Sequence, residues 1–193
     1  VSTTTSSPAP ATRAADPLVW GRGPKTLEVF LEPTCPFSAR AFAKFDDLLA
    51  RAGEDRLTLK LRLLSQPWHL FSPVITRAIL AASTTEGGKT AARAVMAAVF
   101  AQRDRFEPTD HCAGPLLDCS ARALLALIEQ HSGVALTEAF ARPALQVDLK
   151  WQAKYARQNG IHVTPTFMID GLVAPDMGSG EPVEAWLDRL GLA

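Results

Sequence analysis

Two strand-like segments with one helix-length segment between them constrain the fold of this chain more than any other feature. Residues 26–31 (TLEVFL) are rich in apolar, β-branched and aromatic side chains, and Pro33 ends the run. Residues 56–64 (RLTLKLRLL) alternate apolar with basic or hydroxyl side chains, the pattern of a strand with one face in a core. Lys60 and Arg62 are expected on its solvated face. Residues 38–52 (SARAFAKFDDLLARA) put Phe42, Phe45, Leu48 and Leu49 on one side of a helix, and Gly53 supplies the stop. Such a β-α-β unit has a right-handed crossover.

The middle of the chain reads as helix. Residues 73–83 and 89–103 are Ala-rich and separated by Gly87-Gly88; residues 120–130 follow, with Ser120 as N-cap. A short piece at 137–141 precedes Pro143, which fits the first turn of a long helix that stops at Gly160. Sheet then returns. Residues 162–169 (HVTPTFMI) are expected as a strand carrying a proline, Asp170-Gly171 as a hairpin turn, 172–174 as the return strand and 182–190 as an amphipathic helix. The class is α/β. Residues 1–17, mostly Ser, Thr, Ala and Pro, are expected to be a disordered tail; they hold neither the apolar block of a signal peptide nor an initiator Met.

Twenty basic and twenty acidic residues give a net charge of zero, which argues against nucleic acid or an anionic membrane held by bulk charge. The longest apolar stretch, residues 94–101, is far short of a membrane span. Three cysteines are too few for a disulfide scaffold, and the odd count leaves at least one thiol free or paired with another molecule. Each cysteine therefore needs its own explanation.

Cys35 stands in Thr34-Cys35-Pro36-Phe37-Ser38, where a strand ends and a helix begins. The unsatisfied N–H groups and positive end of a helix favour a thiolate there, and so a nucleophile. A small apolar residue packed at a helix start is the other reading. Pro36 suits the first helical turn, where its missing N–H costs nothing. In Val163-Thr164-Pro165-Thr166-Phe167, a proline within a strand implies a sheet edge, a bulge or a cis bond.

Taken together, these segments resemble the thioredoxin superfamily, and within it the DsbA-like branch. The resemblance covers roughly residues 18–193 and rests on strand-CPFS-helix, a helical insertion after the second strand, and GIHVTPTFMIDG before the last hairpin and helix. It implies a thioredoxin-like core at 18–66 and 161–193 and an insertion at 67–160. It implies that Cys35 attacks disulfides, that Pro165 is a cis-proline facing it, and that the Thr164 backbone holds a substrate strand by β-augmentation.

Two departures from that family narrow the chemistry. Ser38 occupies the place of the resolving cysteine, and Val29 that of the buried acid six residues before the nucleophile. Cys35 and Ser38 cannot shuttle two electrons, although Ser38 can donate a hydrogen bond to a Cys35 thiolate. Mixed-disulfide exchange with protein or small-molecule thiols remains, with no resident cofactor and glutathione as a candidate co-substrate. The alternatives are a kappa-like glutathione-dependent transferase or isomerase, and a non-catalytic peptide-binding module. Iron–sulfur coordination at a monothiol site fits poorly with Pro36 and the long insertion.

Pro36, Phe37 and Trp68 are candidate substrate-binding residues beside Thr164. His162, three residues before Pro165, either approaches Cys35 or faces solvent; His69 is similarly placed after the second strand. Phe71 and Trp151 could line a groove or pack in the core. Cys112 and Cys119 could pair with each other across the break at Gly114-Pro115, resolve Cys35, or stay free. With His111 they lack a fourth ligand, so no metal site is expected.

Overall fold

The computed structural model describes residues 14, 15 and 18–193. Most of the expected tail therefore lies outside the described residues, while the amides of Ala14 and Ala15 donate to the buried Asp148 carboxylate at 3.0 and 3.2 Å. Its elements run β1 (Val19–Gly21), β2 (Lys25–Leu31), α1 (Pro36–Phe42), α2 (Phe45–Ala52), β3 (Leu57–Leu63), α3 (Ser72–Ser83), α4 (Gly88–Ala101), α5 (Ala121–Ser132), α6 (Thr137–Phe140), α7 (Leu145–Gln158), β4 (Thr166–Ile169), β5 (Leu172–Val173) and α8 (Val183–Leu190). The sheet order is β1-β3-β2-β4-β5. β2 and β3 are parallel; the other pairs are antiparallel.

The central strand β2 is covered on both faces, which its alternation explains. Leu27, Val29 and Leu31 enter the main core with Phe45, Leu48 and Trp186. Phe30, on the opposite face, packs with Ala156, Ile161 and Met168. Trp186 touches Phe45 and Phe167 at ring centroid distances of 6.4 and 5.2 Å, tying α8 to α2 and β4.

Several expectations need correction. The segment 38–52 is not one helix: it breaks at Ala43-Lys44, where the Lys44 N–H bonds Ala41 rather than the residue four back. The break lets Phe42 pack on Phe100 of α4 while Phe45 turns to α8. Lys44 itself reaches across to the carbonyls of Ser179 and Glu181. The strand expected at 162–169 begins only at Thr166, since Pro165 has no N–H to give to the ladder.

Arg62 does not face water. α7 covers it: its Nε donates to the buried Glu28 at 2.7 Å, and its guanidinium lies over the Trp151 and Tyr155 rings. Tyr155 also donates to Glu28, and burial followed by the Glu28 charge raises its phenol above the ordinary range. Edge strand β1 went unread in the sequence. It can close on β3 because Gly21 and Gly23 lack side chains; a Cβ at Gly23 would lie 1.8 Å from the Arg56 carbonyl carbon.

Candidate active site

Antiparallel pairing of β2 with β4 creates the site. The register sets Phe30 opposite Thr166, so the loop leaving β2 lies beside the loop entering β4. Cys35 therefore meets Thr164, 129 residues away in sequence: Sγ is 3.7 Å from the Thr164 carbonyl oxygen, to which it donates. The Thr164–Pro165 peptide is cis. Cys35 caps the N-terminus of α1 with an extended backbone, Pro36 takes the first helical position, and the Cys35 side chain is buried at 6% exposure.

Ser38 does not donate to Cys35. It is fully buried, and its Oγ accepts the Glu32 N–H at 3.2 Å, which ties the first turn of α1 to the end of β2. All three cysteines are free thiols; Cys112 is exposed and Cys119 half-buried.

The site does contain a buried acid, three residues before the cysteine rather than six. Glu32 is fully buried, and its Oε2 accepts from the Thr34 backbone N–H at 2.7 Å and the Thr34 hydroxyl at 2.9 Å. Thr34 Oγ1 lies 2.8 Å from His69 Nδ1, which is itself 3.5 Å from Glu32 and 3.1 Å from Glu107. Burial pushes the Glu32 carboxyl above the usual carboxylate range, against the opposing influence of the Ser72 hydroxyl, His69 and Thr34. Glu32 Oε1 and the Ser72 hydroxyl lack partners of hydrogen-bonding geometry among the described residues, so Ser72 acts on Glu32 as a nearby dipole.

Above Cys35 opens a cleft of about 690 Å³, walled by the two loops on one side and by the insertion on the other. Cys35, Pro36, Phe37, Trp68 and Thr164 all line it. Phe37, Trp68 and Val163 are 53%, 52% and 65% exposed, an apolar rim around a buried thiol. Other candidates fall elsewhere. The side chain of His162 is exposed and does not line this cleft; its carbonyl accepts from Gln66 at 3.1 Å. Phe71 packs in the core, and Trp151 stacks on Tyr155 beneath the sheet.

Arg103, Glu107 and His111 also line the cleft, from the segment after α4, and sequence reasoning missed all three for this role. Arg103 donates to the Thr34 carbonyl at 3.3 Å. No local pattern marks them, because the packing of α4 against α3 brings them to the cleft beside residues far away in sequence, Arg103 to Thr34 and Glu107 to His69. Glu32 did have a signal, being an acid in the loop that leads into the cysteine.

A family model described as thioredoxin matches residues 21–189. The chain belongs to the thioredoxin family. A crystal structure from Pseudomonas syringae, provisionally named a protein-disulfide isomerase, is 60% identical with a TM-score of 0.89, covering 90% of this chain and 97% of that one. A thioredoxin-like oxidoreductase from Silicibacter pomeroyi is 20% identical with a TM-score of 0.66, covering 92% and 93% of the two chains. DsbA of Chlamydia trachomatis is 17% identical with a TM-score of 0.60, covering 96% and 97%. The last two share the fold. A search of curated proteins gives no significant match. Thioredoxin-like architecture with a DsbA-like helical insertion is thus the setting in which the Cys35 cleft operates.

Proposed function

We propose that this thioredoxin-family protein is a thiol–disulfide oxidoreductase or isomerase acting through one nucleophilic cysteine, Cys35. The observation that carries the reading is the placement of Cys35: at the start of α1, beside the Thr164 carbonyl, and at the floor of a cleft with an apolar rim. In its thiolate form Cys35 attacks one sulfur of a substrate disulfide and expels the other as a thiolate. The resulting mixed disulfide is broken by a second thiol. A thiol of the same substrate attacks the substrate sulfur, forms a new substrate disulfide and releases the Cys35 thiolate, which isomerises the substrate. Reduction takes two glutathiones: the first attacks Cys35 and expels the substrate thiolate, and the second releases Cys35 as oxidised glutathione forms. No second thiol at position 38 competes for this step, because that position is Ser38.

Phe37, Trp68 and Val163 suit partially unfolded protein substrates with exposed apolar side chains, and the backbone at Thr164 offers strand-like pairing. The name of the Pseudomonas syringae relative supports an isomerase.

The test is reactivation of a scrambled disulfide protein in a glutathione buffer, with mass spectrometry of trapped mixed disulfides. Cys35→Ala should abolish turnover and trapping, whereas Cys112→Ala and Cys119→Ala should keep most of both. Loss in either of the latter would mean that the insertion supplies a resolving thiol. Peptide binding without any mixed disulfide would favour a binding module. Glutathione conjugation without protein isomerisation would favour a kappa-like transferase.

A further inference from the structure

In the cleft that holds Cys35, three side chains from two separate stretches of chain converge. His69, Glu107 and His111 each offer one ligand atom, and these atoms lie within 4.8 Å of one another. Glu107 Oε1 is 3.1 Å from His69 Nδ1 and in contact with His111 Nδ1. The two imidazoles stand edge to face with centroids 4.7 Å apart. A second observation is independent of this convergence. The Glu107 side chain is 5% exposed, and its other oxygen, Oε2, is buried with no hydrogen-bond partner among the described residues. Withdrawing a carboxylate oxygen from water without a donor is costly, and a cation would offset that cost.

We propose that His69, Glu107 and His111 bind a divalent transition-metal ion of the zinc class. Two imidazoles and one carboxylate suit zinc and its borderline neighbours; magnesium and calcium prefer all-oxygen sites. His69 is pre-oriented, since Thr34 Oγ1 and Glu32 Oε2 flank its Nδ1 at 2.8 and 3.5 Å. Three protein ligands leave a fourth tetrahedral position for water or an incoming group, the pattern of an exchangeable rather than a closed structural site. All three residues line the cleft that holds Cys35, so that position is reachable by whatever enters it. Cys112 and Cys119 take no part in the cluster. The proposal does not depend on Cys35 being a redox nucleophile.

Metal-free protein, prepared with a chelator and kept reduced, is titrated with Zn²⁺ against a chromophoric competitor. Thermal unfolding and the Co²⁺ visible spectrum are followed in parallel. The parent, the Cys112→Ser/Cys119→Ser double variant and Cys35→Ala should each bind one equivalent, with a raised Tm and a Co²⁺ spectrum lacking thiolate charge transfer. His111→Ala should weaken binding by at least about tenfold and remove the Tm rise. His111 has a half-exposed side chain, so this variant keeps the core intact even if Glu107→Gln fails to fold. Absence of binding by the parent, unchanged affinity in His111→Ala, or loss on removing a cysteine instead would each overturn the proposal. Because binding and not turnover is measured, these outcomes are separate from those that test the thiol chemistry.

Discussion

Thr34→Val probes the buried polar network under Cys35 with the least disturbance of shape. Thr34 is fully buried, and its hydroxyl joins Glu32 Oε2 at 2.9 Å to His69 Nδ1 at 2.8 Å. Valine preserves the volume, so no cavity opens, but the carboxylate loses one of the two donors at Oε2. Leaving a buried polar atom without its partner costs about 1–3 kcal/mol. His69 keeps Glu107 Oε1 at 3.1 Å and so loses little. The expected destabilisation is therefore about 2 kcal/mol, or a Tm lower by roughly 4–8 °C in a domain of this size. Urea unfolding followed by tryptophan fluorescence in the presence of EDTA would measure it, with the buried Trp186 as reporter. Thr34→Ser retains the hydroxyl and loses one methyl, for about 1 kcal/mol. A cost for Thr34→Val below about 0.5 kcal/mol, or a serine variant as damaged as the valine one, would refute the network as a source of stability.

Three other perturbations have definite expected outcomes. Ser38→Cys should form a disulfide with Cys35: after mild oxidation, two of its four thiols should remain titratable, and four remaining would show that the positions do not face each other. Arg62→Ala should cost about 3–5 kcal/mol in denaturant unfolding, because it strands the buried Glu28 without its cation. Glu181 has its carboxyl held below the ordinary 4.5 by the Gly178 N–H and then by Arg189, so the folded protein is stabilised above that pH. That contribution disappears as pH falls through the depressed value, and Glu181→Gln should flatten the acid limb of a Tm-versus-pH curve.

How far the sequence reached depended on whether the deciding interaction was local. Residues 56–64 carried their strand pattern openly, and the four leucines of β3 are buried, alternating with the three partly exposed positions between them. Ser120 announced the start of α5, where its hydroxyl accepts the Ala123 N–H at 3.1 Å. Cys35, Pro36 and Pro165 were legible because backbone chemistry limits where such residues sit. The break at Lys44 was not legible, since the packing of Phe42 and Phe45 on different helices decided it. Arg62 was misassigned for the same reason: a basic residue at an alternating position implies a wet face unless a helix covers it, and α7 does.

The sequence by itself determined the α/β order of elements, the helix-start cysteine and the absence of a thiol three residues after it. These are properties of period, turn chemistry and residue identity within a dozen positions. Only the tertiary structure decided that Thr164 lies against Cys35, that Ser38 serves the end of β2 rather than the thiol, and that His69, Glu107 and His111 form one cluster with Glu32 beside His69. The Cys35–Thr164 contact is set by strand register and the His69–Glu107 contact by the packing of the insertion, both between side chains far apart in the chain, whereas the Ser38–Glu32 bond spans six residues and depends on how the loop between β2 and α1 closes.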